Sequence, residues 1–369
     1  MKDGNQKRII MDIANKYDNT GLIECSKQGF CAPVKEWMKE DLDYTFIVTT
    51  YNQHDLIVQT LESIKYQIIT YGTDFSIQLI ISDDGSTDNN VEIINKWLAL
   101  NGQYFSRIDR IFEEINHGTC HSFCSALENV KGKYFKEISG DDILPENNVF
   151  EVMNKLANND IVTGVILRFD NGTIIQDRTF YKTEIRQAFF KYKEVKSLAK
   201  SSVPIKEGAI WSKKLITEKV LNYVRQYRLV EDRPFWYKVT QDNEELTYYF
   251  DNSVMLLYRG GGGSSSDSKV HKIHLDDLKK FYNDVRRQNT TLYDRESIFC
   301  LKYGLDYINL SIIKVKIKDF IYRKHMKDLW KEVFLPNIKK NQKHLSYIMA
   351  QSEIFLKMEK CNEQEKASH

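Results

Sequence analysis

The sequence predicts an α/β protein: a mostly parallel sheet flanked by helices, followed by a C-terminal helical region. Three observations carry this expectation. Short apolar runs rich in β-formers recur at YTFIVTT (44–50), IQLIIS (77–82), RIDRIF (107–112) and KYFKEIS (133–139). Stretches with helical periodicity separate them. Several runs end in polar, Asp-rich segments. A strand–helix–strand alternation at this spacing reads as right-handed βαβ units, and the near-continuous apolar character of the runs suits strands covered on both faces.

The intervening helices follow from side-chain spacing. Residues 55–69 place Ile57, Leu61, Ile64 and Ile68 on one face. Residues 88–100 read as a helix with Asp88 as its N-cap, and 120–130 as a third helix. Farther along, IVTGVILRF (161–169) and LTYYFDNSVMLLY (246–258) predict strands. Residues 212–227 and 233–241 predict helices, the latter with Pro234 in its first turn. Four regions result. Residues 1–43 form an N-terminal extension and 44–258 an α/β domain. Residues 259–274 form a flexible loop containing GGGGSSSDS, and 275–369 a Lys-rich helical region.

Composition bounds the function. The chain has 369 residues, 42% of them apolar, with 21 Tyr and 19 Phe, which is the balance of a globular protein. Its 53 basic and 51 acidic residues nearly cancel, so nothing marks it as a general nucleic-acid binder. The N-terminus lacks the apolar core of a secretory signal. No run reaches the roughly 20 apolar residues of a membrane-spanning helix, so the expected location is cytoplasmic. The six cysteines, at 25, 31, 120, 124, 300 and 361, make no CxxC pair. Cys120 and Cys124 fall on one helical face and read as buried thiols of a reducing compartment. The segment 312–331 carries seven Lys/Arg among apolar residues. A basic amphipathic helix of that kind can lie on the inner, anionic face of a membrane, and a solvated face of a helical bundle is the alternative.

Four polar segments are candidates for chemistry. TTYNQHD (49–55) and ISDDGSTDNN (81–90) stand at the ends of the first two strands, where open parallel sheets bind ligands. Asp83 and Asp84 precede Gly85, which permits a tight turn. SGDDILPEN (139–147) follows the fourth strand. Adjacent carboxylates at a sheet edge, Asp141 and Asp142, are costly unless donors or a hard divalent cation neutralise them. In VEDRPFW (230–236), Glu231 and Asp232 precede a Pro-initiated helix whose dipole stabilises carboxylates. Each segment alone also reads as an ordinary turn or helix start.

Together, in this order and spacing, they resemble the family 2 glycosyltransferases of bacterial polysaccharide synthesis, which have the Rossmann-like GT-A fold. The resemblance rests on TxYN at 49–52, DDGSTD at 83–88, NxGT at 116–119, KGKYFKEISGDD at 131–142 and ED at 231–232, and it spans about 44–258. It implies that Thr49, Tyr51, Asp83, Asp84 and Asp141 contact the nucleotide, with Thr49, Tyr51 and Asp84 at the base. It implies that Asp142 and Asp141 hold Mn²⁺ or Mg²⁺, and that Asp232 is the catalytic base. An ionised Asp84 only accepts hydrogen bonds, which suits uracil or thymine N3–H and guanine N1–H but not cytosine N3. The expected partners are a nucleotide-sugar donor, UDP-linked in the favoured case, and a glycan or lipid-linked acceptor, with inversion at the anomeric carbon. Ser139, Phe123 and Cys124 stand where many relatives carry Asp, Arg and Asn, which puts those donor contacts in doubt. Two rivals remain. A sugar nucleotidyltransferase usually needs a Gly-rich basic loop after the first strand, which TTYNQHD does not supply. A non-catalytic glycan- or nucleotide-binding scaffold has no need to retain Asp84, Asp141, Asp142 and Asp232 together.

Overall fold

The computed structural model describes residues 42–181, 185, 208–243, 245–260, 268–288, 324 and 327–367. The expected N-terminal extension, apart from residues 42–43, lies outside them. So do residues 261–267 of the Gly/Ser stretch and most of the basic segment 312–331.

Among the described residues, eight strands form one sheet. The first half is parallel. Strand β1 (Leu42–Thr50) lies between β2 (Ile77–Asp83) and β4 (Gly132–Ser139), and β3 (Arg107–Phe112) flanks β2. Helices α1 (Ile57–Tyr71), α2 (Asn90–Asn101) and α3 (Thr119–Glu128) are the crossovers. The sheet then changes direction. A three-residue strand (Ile210–Ser212) runs antiparallel between β4 and the long strand Ile161–Asp170. That long strand, β5, also pairs with a short antiparallel β6 (Thr173–Ile174) and, in parallel, with Tyr248–Arg259. We number the bridging strand β7 and the last one β8.

Alternation along β1 sorts the core. Phe46 and Val48 pack with Leu79, Ile81 and Ile138 against Leu61, Ile64, Ile94 and Trp97 of α1 and α2. Ile47 and Ile80 point the other way, toward Phe123, Cys124 and Leu127 of α3 and toward Phe235 and Trp236. The latter two belong to α5 (Asp232–Asp242), which follows the short α4 (Glu218–Val224). Both sheet faces are covered, as the apolar runs predict. Cys120 and Cys124 are buried thiols on α3 and are not joined in a disulfide. Two further helices are described, α6 (Ser268–Gln288) and α7 (Leu335–Ala367). No helix among the described residues is long and apolar enough to cross a membrane.

Four local expectations are corrected. Asn89, not Asp88, occupies the N-cap of α2. Asp88 instead accepts from the backbone N–H of Asn90 (3.0 Å) and of His54 (3.1 Å), which ties the helix start to the end of β1. The helix expected over 212–227 breaks into a 3₁₀ turn (Lys213–Leu215) and α4. Thr217 lies between them in extended backbone, and its hydroxyl accepts from Val220 N–H at 3.3 Å. The helix expected from 233 begins one residue earlier, so Asp232 is its first residue. Residues 268–274 belong to α6, so His271 and His274 sit on a helix and not on a loop.

Candidate active site

Strand register assembles the site. Thr49 lies opposite Ser82 on β2 and Ser139 on β4, and Thr50 lies opposite Asp83. The TxYN, DDGST and SGDD segments therefore leave the sheet side by side at its carboxyl edge. Backbone bonds extend the alignment past the strand ends, from Asp84 N–H to Thr50 O (3.0 Å) and from Gly140 N–H to Thr49 O (2.8 Å). A Cβ on Gly140 would come within 2.5 Å of Gln53 Oε1 and 2.7 Å of Thr50 Oγ1, so only glycine permits this approach.

The two aspartates of the second segment have different surroundings. Asp83 is fully buried, and its carboxylate accepts from Ser86 N–H (2.8 Å), Ser86 hydroxyl (2.6 Å) and Asn90 Nδ2 (2.7 Å). It holds the turn and the start of α2. Gly85 completes that turn at φ 71°, with Ile115 carbonyl carbon 2.4 Å from where a Cβ would stand. Asn52, itself left-handed at φ 51°, accepts from Thr87 N–H (2.8 Å) and donates its own N–H to Ser86 Oγ (2.8 Å). The TxYN and DDGST segments are thus one hydrogen-bonded unit. Tyr51 stands out from it, 42% exposed, while the Thr49 hydroxyl turns inward and donates to Glu137 Oε1 (2.7 Å).

Asp84 reaches across to the loop between β3 and α3. Its two oxygens accept from the backbone N–H of His117 (2.9 Å) and Gly118 (2.8 Å), and each oxygen retains lone-pair capacity for a ligand. That loop carries a second connection. Arg228 O accepts from Cys120 N–H (3.0 Å), and the Arg228 side chain packs so tightly on Gly118 that a Cβ there would meet it at 2.4 Å. The segment 228–230 leads directly into Glu231 and Asp232. It is held by Asp277 of α6, whose Oδ2 accepts from the N–H groups of Arg228 (2.8 Å), Leu229 (2.6 Å) and Val230 (3.3 Å). Asp232 Oδ1 accepts from Arg233 N–H at 2.7 Å, and the Arg233 guanidinium turns away to the Tyr282 hydroxyl and ring of α6.

The third segment places two nearly buried carboxylates together, Asp141 at 8% exposure and Asp142 at 4%. Asp141 Oδ1 accepts from the Ser139 hydroxyl (2.6 Å), and Asp142 Oδ1 accepts from Arg259 N–H (2.9 Å). Arg259 ends β8, and its guanidinium donates to Asp141 O (2.8 Å) and Gln59 Oε1 (2.7 Å) while lying over the Phe169 ring. Burial pushes the Arg259 pKa down, and the charges of Asp141, Asp142 and Asp170 pull it back up. Lys136 on β4 is fully buried, and its ammonium has no hydrogen-bond partner among the described residues. Burial lowers its pKa to about 8, against the opposing pull of Glu137 and Asp142. A pair of adjacent, nearly buried carboxylates is a hard-oxygen donor set, which fits Mg²⁺ or Mn²⁺.

The structure therefore gathers Thr49, Asp83, Asp84, Asp141 and Asp142 on one edge, and links Asp232 to that edge through the 116–120 loop. Two residues of this network escaped the sequence reading. Arg259 carried a faint signal, an Arg closing an apolar strand. Asp277 carried none, because its partners lie 47–49 residues away.

Comparison with known proteins bears on the fold and the family. Residues 45–216 match the glycosyl transferase family 2. Over that segment, just under half of the chain, the sequence is similar to the family 2 glycosyltransferases. A teichoic acid poly(glycerol phosphate) polymerase of Staphylococcus epidermidis is 32% identical over 150 residues, 41% of this chain and 19% of the relative. The glycosyltransferase GlyG of Streptococcus pneumoniae is 28% identical over 137 residues, 37% of this chain and 41% of the relative. The chain thus matches about two fifths or less of the length of these relatives. The fold is shared with residues 1–349 of TarS from S. aureus, solved in complex with UDP. The TM-score is 0.50 at 14% identity, over 85% of this chain and 89% of that one.

Proposed function

We propose that the protein is an inverting, metal-dependent glycosyltransferase. It moves a sugar from a nucleoside-diphosphate donor, UDP-linked by preference, to a hydroxyl of a glycan or lipid-linked acceptor in surface-polymer synthesis. The observation that carries the reading is the alignment of β1, β2 and β4, which brings Asp84 and the Asp141–Asp142 pair to one edge. The teichoic acid polymerase among the matched relatives supports the surface-polymer setting. The UDP in the TarS structure is a ligand of that protein. Here the choice of base rests on Asp84, which as an acceptor pairs with an N–H such as that of uracil.

Each residue has a task in this reading. Asp84 accepts from the base, with Thr49 and Tyr51 beside it. Asp83 holds the turn that presents Asp84. Asp141 and Asp142 hold Mg²⁺ or Mn²⁺, which when bound stabilises the charge on the departing diphosphate. Asp232 accepts the proton of the acceptor hydroxyl as that oxygen attacks the anomeric carbon from the side opposite the leaving group. One displacement inverts the configuration. Nucleotide release from a panel of UDP-, GDP- and dTDP-sugars tests the assignment. Release in Mn²⁺ is expected for a UDP-sugar, with loss in excess chelator and in Asp142→Ala. Full turnover without metal contradicts the metal role, and a retained anomer in the NMR spectrum of the product contradicts the single displacement.

A further inference from the structure

A second group of metal-type ligands lies on the loop that Asp84 holds. Strand β3 ends at Phe112, and Glu113 is the next residue, its N–H bonded to Asp83 O at 3.0 Å. His117 is the residue whose backbone donates to Asp84. His121 lies in the first turn of α3, four residues farther on. One ligand atom from each of these three side chains lies within 4.8 Å of those of the other two. His121 Nε2 is 3.2 Å from Glu113 Oε1, and the two imidazole rings face each other at 4.6 Å between centroids, 39° from parallel.

We infer that Glu113, His117 and His121 bind a borderline-soft divalent ion, zinc by preference, and that this ion stiffens the 113–121 loop that grips Asp84. Tetrahedral zinc with bonds of ~2.0–2.1 Å sets its ligand atoms ~3.3 Å apart, so the Glu113–His121 pair already has the spacing and small side-chain rotations close the rest. Two imidazoles and one carboxylate prefer zinc, whereas the all-oxygen Asp141–Asp142 pair prefers Mg²⁺ or Mn²⁺, so ion type separates the two sites. Three protein ligands leave a fourth position. Both histidines also line a cavity of about 390 Å³, together with Arg225, Gln226, Tyr227, Arg228 and Asp277. The nearby guanidinium charges are partly offset. Arg225 pairs with Glu128 at 2.5 Å, and Arg228 reaches Asn116 at 3.4 Å.

The zinc site stands on these three residues alone; its coupling to nucleotide rests on the Asp84 reading above. Chelator-treated full-length protein is titrated with Zn²⁺ against a chromophoric competitor, without nucleotide, and with Co²⁺ as a spectroscopic stand-in. Wild type and Asp142→Asn are expected to take up one equivalent. His121→Ala and Glu113→Gln are expected to bind more than about tenfold more weakly while melting like wild type in chelator. If His121→Ala fails to fold, His121→Asn replaces it. Undiminished zinc binding in both variants, or no uptake by wild type, overturns the site. UDP affinity measured in Mg²⁺ is expected to tighten several-fold when zinc is added to wild type and to stay constant in His121→Ala. Zinc uptake with unchanged UDP affinity overturns the coupling, and it does so whether or not the protein transfers a sugar.

Discussion

At the scale of single residues, burial decides what each carboxylate is free to do. Asp83 spends its oxygens on Ser86 and Asn90, whereas Asp232 is half-buried at a helix start with one bond to its neighbour's N–H. Asp232→Asn keeps the size and the helix start but removes the proton acceptor. Transfer is expected to fall by roughly 10²–10⁴, with donor affinity unchanged, since the proposed reading assigns the nucleotide to Asp84 and the metal pair and not to Asp232. Steady-state kinetics beside a donor titration check this, and near-normal turnover moves the role to Glu231. Lys136 offers a second test. Its ammonium is buried without a hydrogen-bond partner among the described residues, and its pKa falls from 10.5 to about 8. Between those values the unfolded chain still holds a proton that the folded chain has released, so stability rises with pH across that window. Lys136→Met should lack this rise, which is on the order of 3 kcal/mol. Urea unfolding of both proteins at pH 7.5 and above, compared at each pH, shows it as a converging difference.

At the scale of elements, the C-terminal helix braces the chain beside the candidate site, although it lies outside the matched family segment. Helix α7 clamps the chain just after the Asp141–Asp142 pair. His344 Nε2 donates to Leu144 O (3.0 Å), Asn341 accepts from Glu146 N–H (2.9 Å), and Lys340 pairs with Glu146. Burial lowers the His344 pKa from 6.5 to about 4, with the Leu144 carbonyl opposing and Lys340 adding to the fall. In that window the unfolded chain takes up a proton that the folded chain refuses, so stability is lost as pH drops from 6.5 toward 4. His344→Gln, which keeps a donor for Leu144, is expected to flatten this part of the profile by on the order of 3 kcal/mol. Chemical denaturation at pH 7 and pH 4 measures it. Elements of this kind mark where the sequence is legible. Strands β1 to β4 announce themselves by apolar runs, and α1 by Ile57, Leu61, Ile64 and Ile68. The bridging β7 is three residues long and has no periodicity to detect. The α4 region reads as one long helix because no Gly or Pro interrupts it, yet Thr217 takes an extended conformation and restarts it.

At the scale of the whole molecule, the parallel half of the sheet supplies the edge that carries Asp83, Asp84, Asp141 and Asp142, and elements of the second half brace it. Arg259 from β8 braces Asp141 and Asp142, Asp277 from α6 braces the run into Asp232, and α7 braces residues 144–147. Motif spacing locates the carboxylates, but not these braces, because each partner pair is far apart in sequence and meets only through the fold. The same architecture sets the central claim, that the Asp84 edge and the Asp141–Asp142 pair form one nucleotide-diphosphate site completed by a hard divalent ion. Calorimetric titration of UDP into chelator-treated protein, with and without Mn²⁺, for wild type and Asp142→Ala, tests it most directly. Binding to wild type is expected to be at least about tenfold tighter with Mn²⁺, and Mn²⁺ is expected to make no difference in the variant. Absence of UDP binding in Mn²⁺, or equal affinity with and without the ion in wild type, contradicts it.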